Sequence, residues 1–179
     1  MKGIVFTGLL DMVEERYGYE LVDELLTEND LPSGGAYTTI GTYDHAEMVT
    51  LVVALQKKTG LPIPDLLRTY GHYTFSSFSR SYQMFINQAT SAFELLNSVQ
   101  HYIHVEVRKL YPDAELPQFI IEKMTNDTMV MRYESERKMA DFAYGMIEGC
   151  LDHFGEKATI SMNDLSGDGS SVAFTIQKV

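Results

Sequence analysis

The stretch from Tyr133 to Arg137 reads Tyr-Glu-Ser-Glu-Arg and follows His104 by 29 positions. Every second residue in it carries a hydroxyl or a guanidinium, so in an extended segment Tyr133, Ser135 and Arg137 project to one side. A guanidinium binds a carboxylate through a pair of hydrogen bonds, and the hydroxyls can satisfy the remaining lone pairs. We therefore predict that this stretch clamps an anionic group, with the intervening glutamates pointing away from it.

His104 completes this pattern, because a neutral imidazole can serve as the single axial ligand of haem iron. The propionates of a haem would suit the clamp, so the two features together predict a bound haem. Taken alone, a histidine here is more often a core or boundary residue than a ligand. A zinc site is disfavoured, because His101 and His104 are too few ligands and the other histidines lack zinc spacing to them. We expect His101 to be solvated or at a boundary.

Composition restricts the class of protein. With 179 residues, of which 45% are hydrophobic, the chain fits one domain spanning residues 1–179. A formal charge of -11 with scattered basic residues argues against binding to nucleic acid or to anionic lipid. No segment approaches the roughly 20 apolar residues of a membrane span, and no cleavage-site pattern follows the start, so we expect a cytoplasmic protein. Cys150 is the only cysteine, which excludes an intramolecular disulfide or a multi-thiolate metal site.

Helical periodicity dominates the N-terminal part of the sequence. It predicts helices over residues 4–17, 20–26, 44–58 and 64–71, a short irregular helix within 75–85, and a long helix over about 89–110 that carries His104. On a uniform 3.6-residue period, Phe93, Leu96, Val107 and Tyr111 lie to one side of His104. The histidine is therefore predicted at the edge of an apolar face.

Beyond Pro117 the pattern changes to short strands. Strands are predicted over residues 119–123 and 129–133, followed by a helix over about 137–153 and a hairpin formed by 158–162 and 171–177. Helices first and an antiparallel sheet later indicate the α+β class, with an N-terminal helical part followed by a C-terminal sheet with helices. No linker or repeat is visible, so a signalling output is expected from a separate polypeptide.

A plainer interpretation of the Tyr133 to Arg137 stretch also exists. It is the end of a strand, followed by a helix that Ser135 caps. The corresponding capping box would need Glu or Gln three residues later, where this sequence has Lys138. The imperfect box slightly favours the clamp.

The sequence resembles the H-NOX family, the haem-nitric oxide/oxygen binding domains related to the sensor domain of soluble guanylate cyclase. The resemblance covers nearly the whole chain. It rests on Met1-Lys2-Gly3, His104, Pro117, the motif Tyr133-x-Ser135-x-Arg137 with Lys138-Met139 after it, and the helix bearing Gly145, Ile147, Glu148 and Gly149. It implies haem b (iron protoporphyrin IX), buried between the helical part and the sheet, with His104 as the proximal ligand.

The resemblance also implies which residues surround the haem. Pro117 matches the family proline that presses on and distorts the porphyrin, although a strand-leading proline is the plain alternative. In the helix after the clamp, Phe142 and Met146 would form the distal wall. The rest of the pocket would come from Ile4, Val5, Leu9, Thr74 and Phe78. Relatives that bind oxygen stably have a tyrosine where this chain has Phe142.

The function implied by the resemblance is a haem-based nitric oxide sensor that also binds CO. In the family mechanism, NO weakens or breaks the bond between iron and the proximal histidine, and the freed helix moves. Bacterial members of this type act on a histidine kinase or on a cyclic-di-GMP synthase or phosphodiesterase. We expect no enzymatic activity. The alternatives are a redox or oxygen-handling haem enzyme, which would need a polar distal group, and a cofactor-free interaction domain.

Overall fold

A computed structural model describes all of residues 1–179. The chain divides into two compact units, unit 1 (Met1–Tyr70) and unit 2 (Gly71–Val179), and helix α4 (Ile63–Ser81) runs through the boundary. Unit 1 is helical, whereas unit 2 combines helices with an antiparallel sheet, which confirms the predicted α+β class. No helix has the length and apolar character needed to cross a membrane.

Unit 1 contains α1 (Gly3–Tyr17), α2 (Tyr19–Thr27), α3 (His45–Thr59) and the first part of α4. The predicted bounds of the first three helices are correct to within one residue. Asp44 caps α3 by accepting a hydrogen bond from the Ala46 N–H at 2.9 Å, and Gly60 ends it with a left-handed φ of 74°. The core contains buried apolar side chains from every helix: Phe6, Leu9, Met12, Leu25, Leu51, Leu55 and Leu66.

The start of α1 is held tightly within unit 1. The Gly3 N–H donates to the Gly41 carbonyl at 2.8 Å, and a Cβ atom at position 3 would lie only 1.8 Å from the Thr38 carbonyl oxygen. The Tyr70 hydroxyl donates to the Val5 carbonyl. Glycine is therefore required at position 3, since any side chain would displace the backbone beside it.

Unit 2 is built on one antiparallel sheet with the strand order β1-β2-β4-β3. Its strands are β1 (Gln118–Met124), β2 (Thr128–Glu134), β3 (Ala158–Asp164) and β4 (Ser171–Lys178). The four predicted strands are confirmed, and each extends the predicted bounds by at most two residues at either end. In β2 the alternate residues Met129, Met131 and Tyr133 are buried, as expected for a strand with one face against the core.

The helix after the clamp, α8 (Ala140–His153), packs closely against α4. A Cβ atom on Gly71 would lie 2.0 Å from the Phe142 carbonyl oxygen, so only glycine permits this approach. The prediction that a helix ends at Gly71 was wrong, because α4 continues to Ser81 and α5 (Gln83–Ile86) follows. Gly71 serves helix packing rather than helix termination.

The predicted long helix over residues 89–110 is divided into three parts. Helix α6 (Ala92–Ser98) begins where the Ser91 hydroxyl accepts a hydrogen bond from the Glu94 N–H at 3.2 Å. A π turn (Val99–Ile103) follows, and α7 (His104–Leu110) completes the segment. A uniform 3.6-residue period does not hold across a π turn. The predicted arrangement of Phe93 and Leu96 on one side of His104 was therefore based on the wrong geometry.

Candidate functional site

His104 is the first residue of α7 and is only 9% exposed. Its Nδ1 atom is buried without a hydrogen-bond partner. Burial lowers the pKa of the imidazole to about 4, and the nearby positive charge of Arg108 acts in the same direction. The side chain is therefore neutral near pH 7, which is the protonation state that binds a metal ion.

Neither of the two amide side chains that precede His104 in this segment, Asn97 and Gln100, binds its Nδ1 atom. Asn97 is exposed, and the Gln100 Oε1 atom accepts a hydrogen bond from the Phe119 N–H at 3.0 Å instead. No backbone carbonyl contacts Nδ1 either. His101, three residues earlier, is exposed. The two histidines of the i, i+3 pair thus lie in different environments, and only His104 is buried.

Phe119 connects the histidine to the clamp. Its ring centroid lies 5.9 Å from that of His104 and 5.6 Å from that of Tyr133. The sequence reasoning did not single out this residue. The available signal was its position in the first predicted strand, because Phe119 pairs with Tyr133 in the register of β1 and β2.

Tyr133 is the buried end of the predicted clamp, with 2% exposure. Its hydroxyl oxygen accepts a hydrogen bond from the Met139 N–H at 3.0 Å, and the hydroxyl also contacts the Ser135 side chain. Burial raises the pKa of Tyr133, while contacts with Ser135 and Met139 and the charge of Arg137 act in the opposite direction. The net shift keeps the hydroxyl protonated and able to donate.

The predicted extended geometry of the clamp is only partly correct. The strand ends at Glu134, and the next residues form a turn in which the Lys138 N–H donates to the Ser135 carbonyl at 3.2 Å. The Ser135 hydroxyl accepts from the Arg137 N–H at 3.2 Å, so it stabilises the turn rather than capping α8. Helix α8 consequently begins at Ala140 instead of near Arg137. The capping-box alternative is not formed.

Arg137 projects from this turn and already holds a carboxylate. Its guanidinium donates to the Glu115 carbonyl oxygen at 2.7 Å and to the Glu115 carboxylate at 2.6 Å. The Arg137 side chain is 20% exposed, against 84% for Glu115. Sequence reasoning missed Glu115, because a partner 22 positions earlier leaves no local signal. The contact demonstrates that this guanidinium is accessible to an anionic group.

The remaining predicted pocket residues belong to both units. In unit 1, Ile4 and Val5 are half-buried on α1, and Leu9 lies in the core. In unit 2, Thr74 is buried, Phe78 and Pro117 are half-buried, and Phe142 and Met146 are half-buried on α8. Pro117 immediately precedes β1. The Tyr144 hydroxyl donates weakly to the Ile160 carbonyl at 3.4 Å, so it is directed toward β3.

Comparisons with known proteins are consistent with this geometry. The family model described as Haem-NO-binding matches residues 2–162. The Fe(II) unliganded H-NOX protein from K. algicida is 42% identical, with a TM-score of 0.95 over 100% of this chain and 97% of that one. The Fe(II)CO H-NOX from Shewanella woodyi, bound to IWP-051, is 38% identical, with a TM-score of 0.84 over 100% and 95%. The Fe(II)NO H-NOX protein from S. oneidensis is 27% identical, with a TM-score of 0.91 over 100% and 99%. No curated protein matches the sequence.

Proposed function

Because the chain belongs to the H-NOX family of haem-binding gas-sensor domains, we propose that residues 1–179 form one haem b domain that senses nitric oxide. The observation that carries the proposal is the buried, neutral imidazole of His104, whose Nδ1 atom has no protein partner. A buried imidazole that is neutral and not held by another side chain can bind haem iron through one of its two ring nitrogens. The domain acts as a sensor and not as an enzyme.

The residues of unit 2 fit the two chemically distinct parts of a haem. His104 would supply the imidazole that binds the iron. Tyr133, Ser135 and Arg137 would bind the propionates, because two hydroxyls lie there beside a guanidinium that already donates hydrogen bonds to a carboxylate. On propionate binding, the Glu115 carboxylate is displaced from Arg137 at little cost, since an exposed ion pair contributes at most about 1 kcal/mol.

The other pocket residues exclude water and shape the site. Within unit 2, Phe142, Met146, Thr74 and Phe78 would contribute to the pocket, and Pro117 would lie against the porphyrin. Apart from Thr74, these side chains offer no hydrogen-bond donor. When bound, ferrous haem supplies a centre that binds NO and CO strongly without such a donor, whereas oxygen needs one. The selection of NO over oxygen is therefore assigned to Phe142.

The signal passes through the helix that carries His104. If His104 held the iron, that bond would fix the start of α7, and loss of the bond would free α7 to move. A helix with two such states is the bistable element that ligand-driven signalling requires. We assign the readout to a partner protein, either a histidine kinase or a cyclic-di-GMP synthase or phosphodiesterase. The related protein from S. oneidensis has been solved in the Fe(II)NO ligation state, which supports NO as the ligand.

The absorption spectrum of the purified protein, reduced and then exposed to NO, CO or air, tests this proposal. We expect a Soret band that shifts with NO and with CO and does not shift persistently in air. A protein without a Soret band would be a cofactor-free interaction domain. Turnover of peroxide or oxygen would instead indicate an oxygen-handling haem enzyme. Either result would replace the sensor assignment.

A further inference from the structure

The turn immediately before His104 is wider than an α-helical turn. The His104 N–H bonds to the Val99 carbonyl, five residues earlier, whereas an α-helix would use the carbonyl four residues earlier. A π turn adds one residue to the helix. Because successive residues of an α-helix are rotated by about 100° around its axis, the extra residue changes the direction in which all later side chains point. The direction in which the His104 ring points therefore depends on whether this turn stays wide.

Two side chains of the π turn bind to other parts of unit 2. The Gln100 Oε1 atom accepts the Phe119 N–H of β1 at 3.0 Å. On the other side, the Tyr102 hydroxyl accepts a hydrogen bond from the Gln88 side chain at 2.9 Å, and its ring makes an edge contact with Phe85 at 5.7 Å. These contacts fix the turn from outside the helix, because its own residues contribute no fully buried side chain.

The Gln100 contact has the more direct connection to the histidine. Strand β1 lies at the edge of the sheet, where a backbone N–H can lack a strand partner, and Gln100 supplies the acceptor for Phe119. The Phe119 ring lies against the His104 ring, with 5.9 Å between centroids. Gln100 therefore contacts the backbone of Phe119, and the Phe119 ring in turn contacts His104, which follows the same π turn. A change at Gln100 alters both the turn before the histidine and the aromatic ring beside it.

We propose that Gln100 is a positioning residue, which directs His104 toward the iron by holding the π turn Val99–Ile103 against β1. The inference rests on the proposed function, because it assumes that His104 is the axial ligand. The required chemistry is an acceptor of sufficient length at position 100. Glutamate keeps an acceptor at this distance from the backbone. Leucine has a similar size but no acceptor, and asparagine has an acceptor on a side chain that is one methylene too short.

The test compares Gln100→Leu, Gln100→Asn and Gln100→Glu with the wild-type holoprotein. Resonance Raman of the reduced protein measures the iron–histidine stretching band, and NMR of the CO-bound protein measures exchange of the Phe119 amide. In Gln100→Leu and Gln100→Asn we expect about fivefold faster amide exchange, the equivalent of a typical hydrogen bond of about 1 kcal/mol, and a lower stretching frequency. Gln100→Glu should match the wild type in both measurements.

Gln83→Leu is the matched control, since Gln83 is exposed on α5 and the same substitution there should change neither measurement. Faster Phe119 exchange with an unshifted iron–histidine band in either Gln100→Leu or Gln100→Asn would overturn the positioning role. Unchanged exchange of the Phe119 amide in Gln100→Asn would also overturn the positioning role. The asparagine variant keeps the test decisive if Gln100→Leu does not fold. A wild-type protein without any iron–histidine band would instead remove the proposed function, while amide exchange would still report the Gln100 contact.

Discussion

The two halves of the candidate site differ in how well their polar groups are satisfied. His104 is buried and neutral, and one of its ring nitrogens has no partner in the protein. In the clamp, every group is already engaged: Tyr133 binds the Met139 N–H, Ser135 binds the Arg137 N–H, and Arg137 binds Glu115. One half is therefore incomplete without a ligand, whereas the other is preassembled and must exchange a partner to bind one.

This difference predicts two kinds of mutational effect. His104 is a buried side chain whose hydrogen bonding is incomplete within the protein. Removing it eliminates a bond to the ligand that no other residue can replace. Removing one member of a preassembled cluster weakens binding in proportion to that member's net contribution, since its neighbours remain. Substitutions at His104 should therefore abolish a property, and substitutions in the clamp should change an affinity.

The largest effect is expected for His104→Gly. This change removes the imidazole and leaves a cavity, so the normal spectrum of the ferrous protein should be lost while the clamp still holds the haem. Added imidazole should enter the cavity and restore the spectrum. Absorption spectroscopy of the reduced variant, with and without imidazole, measures both effects.

His101→Gly is the matched control, because His101 precedes His104 by three residues and is exposed. Its spectrum should be nearly unchanged. If His101→Gly lost the spectrum and His104→Gly retained it, the assignment of the ligand would be wrong, and the contrast between a buried and an exposed histidine would have no functional meaning.

A smaller effect is expected for Arg137→Ala, which should release haem about tenfold faster than the wild type. Charge-assisted hydrogen bonds contribute about 1.5–3 kcal/mol and neutral ones about 1 kcal/mol, and the partial exposure of Arg137 favours the lower end of its range. Ser135→Ala should therefore accelerate release by about fivefold or less. Transfer of haem to an acceptor protein measures these rates.

Arg132→Ala is the control for the clamp, because Arg132 lies on β2 next to Tyr133 but pairs with Glu122 and Glu134. Successive residues of a strand point to opposite faces, so Arg132 lies on the face away from Tyr133. Haem release from this variant should match the wild type. Equal release from wild type and Arg137→Ala would exclude the clamp as a propionate site.

Tyr133→Phe should reduce the stability of the folded protein by about 1–3 kcal/mol, because the Met139 N–H would lose its acceptor in a buried position. Urea unfolding measures the change, and haem release should also increase. Tyr17→Phe, at a tyrosine that is 38% exposed, provides a comparison expected to lie within about 0.5 kcal/mol of the wild type. A Tyr133→Phe variant as stable as Tyr17→Phe would indicate that the preassembly of the clamp does not depend on this hydroxyl.

The same contrast explains what the sequence could predict. The strands were found nearly to the residue, because alternation of apolar side chains reports directly which face is buried, as in Met129, Met131 and Tyr133. The π turn was missed, since its geometry depends on Gln100 binding Phe119, 19 positions later. Periodicity within a segment contains no information about such distant contacts. It therefore predicted one regular helix over residues 89–110.

In the clamp, residue identities were informative and backbone geometry was not. Tyr133, Ser135 and Arg137 do lie together, yet a turn replaces the expected extended segment. Lys138 adopts a left-handed φ of 54° and forms an ion pair with Asp168 at 2.8 Å. Non-glycine residues rarely adopt this conformation, and lysine carries no local signal for it. The contact of Lys138 with the loop between β3 and β4 becomes visible only after the chain is folded.

The smallest expected effect concerns Phe142, and it sharpens the contrast by adding a hydrogen-bond donor at a position that now carries a phenyl ring. Stable oxygen binding to ferrous haem needs a distal hydrogen-bond donor, and a phenyl ring offers none. Tyr144 is two residues away on α8, a rotation of about 200°, and its hydroxyl is directed to the Ile160 carbonyl. We therefore expect the reduced wild-type protein to bind NO and CO and to show no persistent oxygen spectrum in air.

Phe142→Tyr should introduce partial oxygen binding, whereas Tyr144→Phe should leave the spectrum unchanged. Absorption spectra of the reduced proteins under air measure both effects. A persistent oxygen spectrum in the unmodified protein would refute the NO-selective assignment and leave the haem site itself intact.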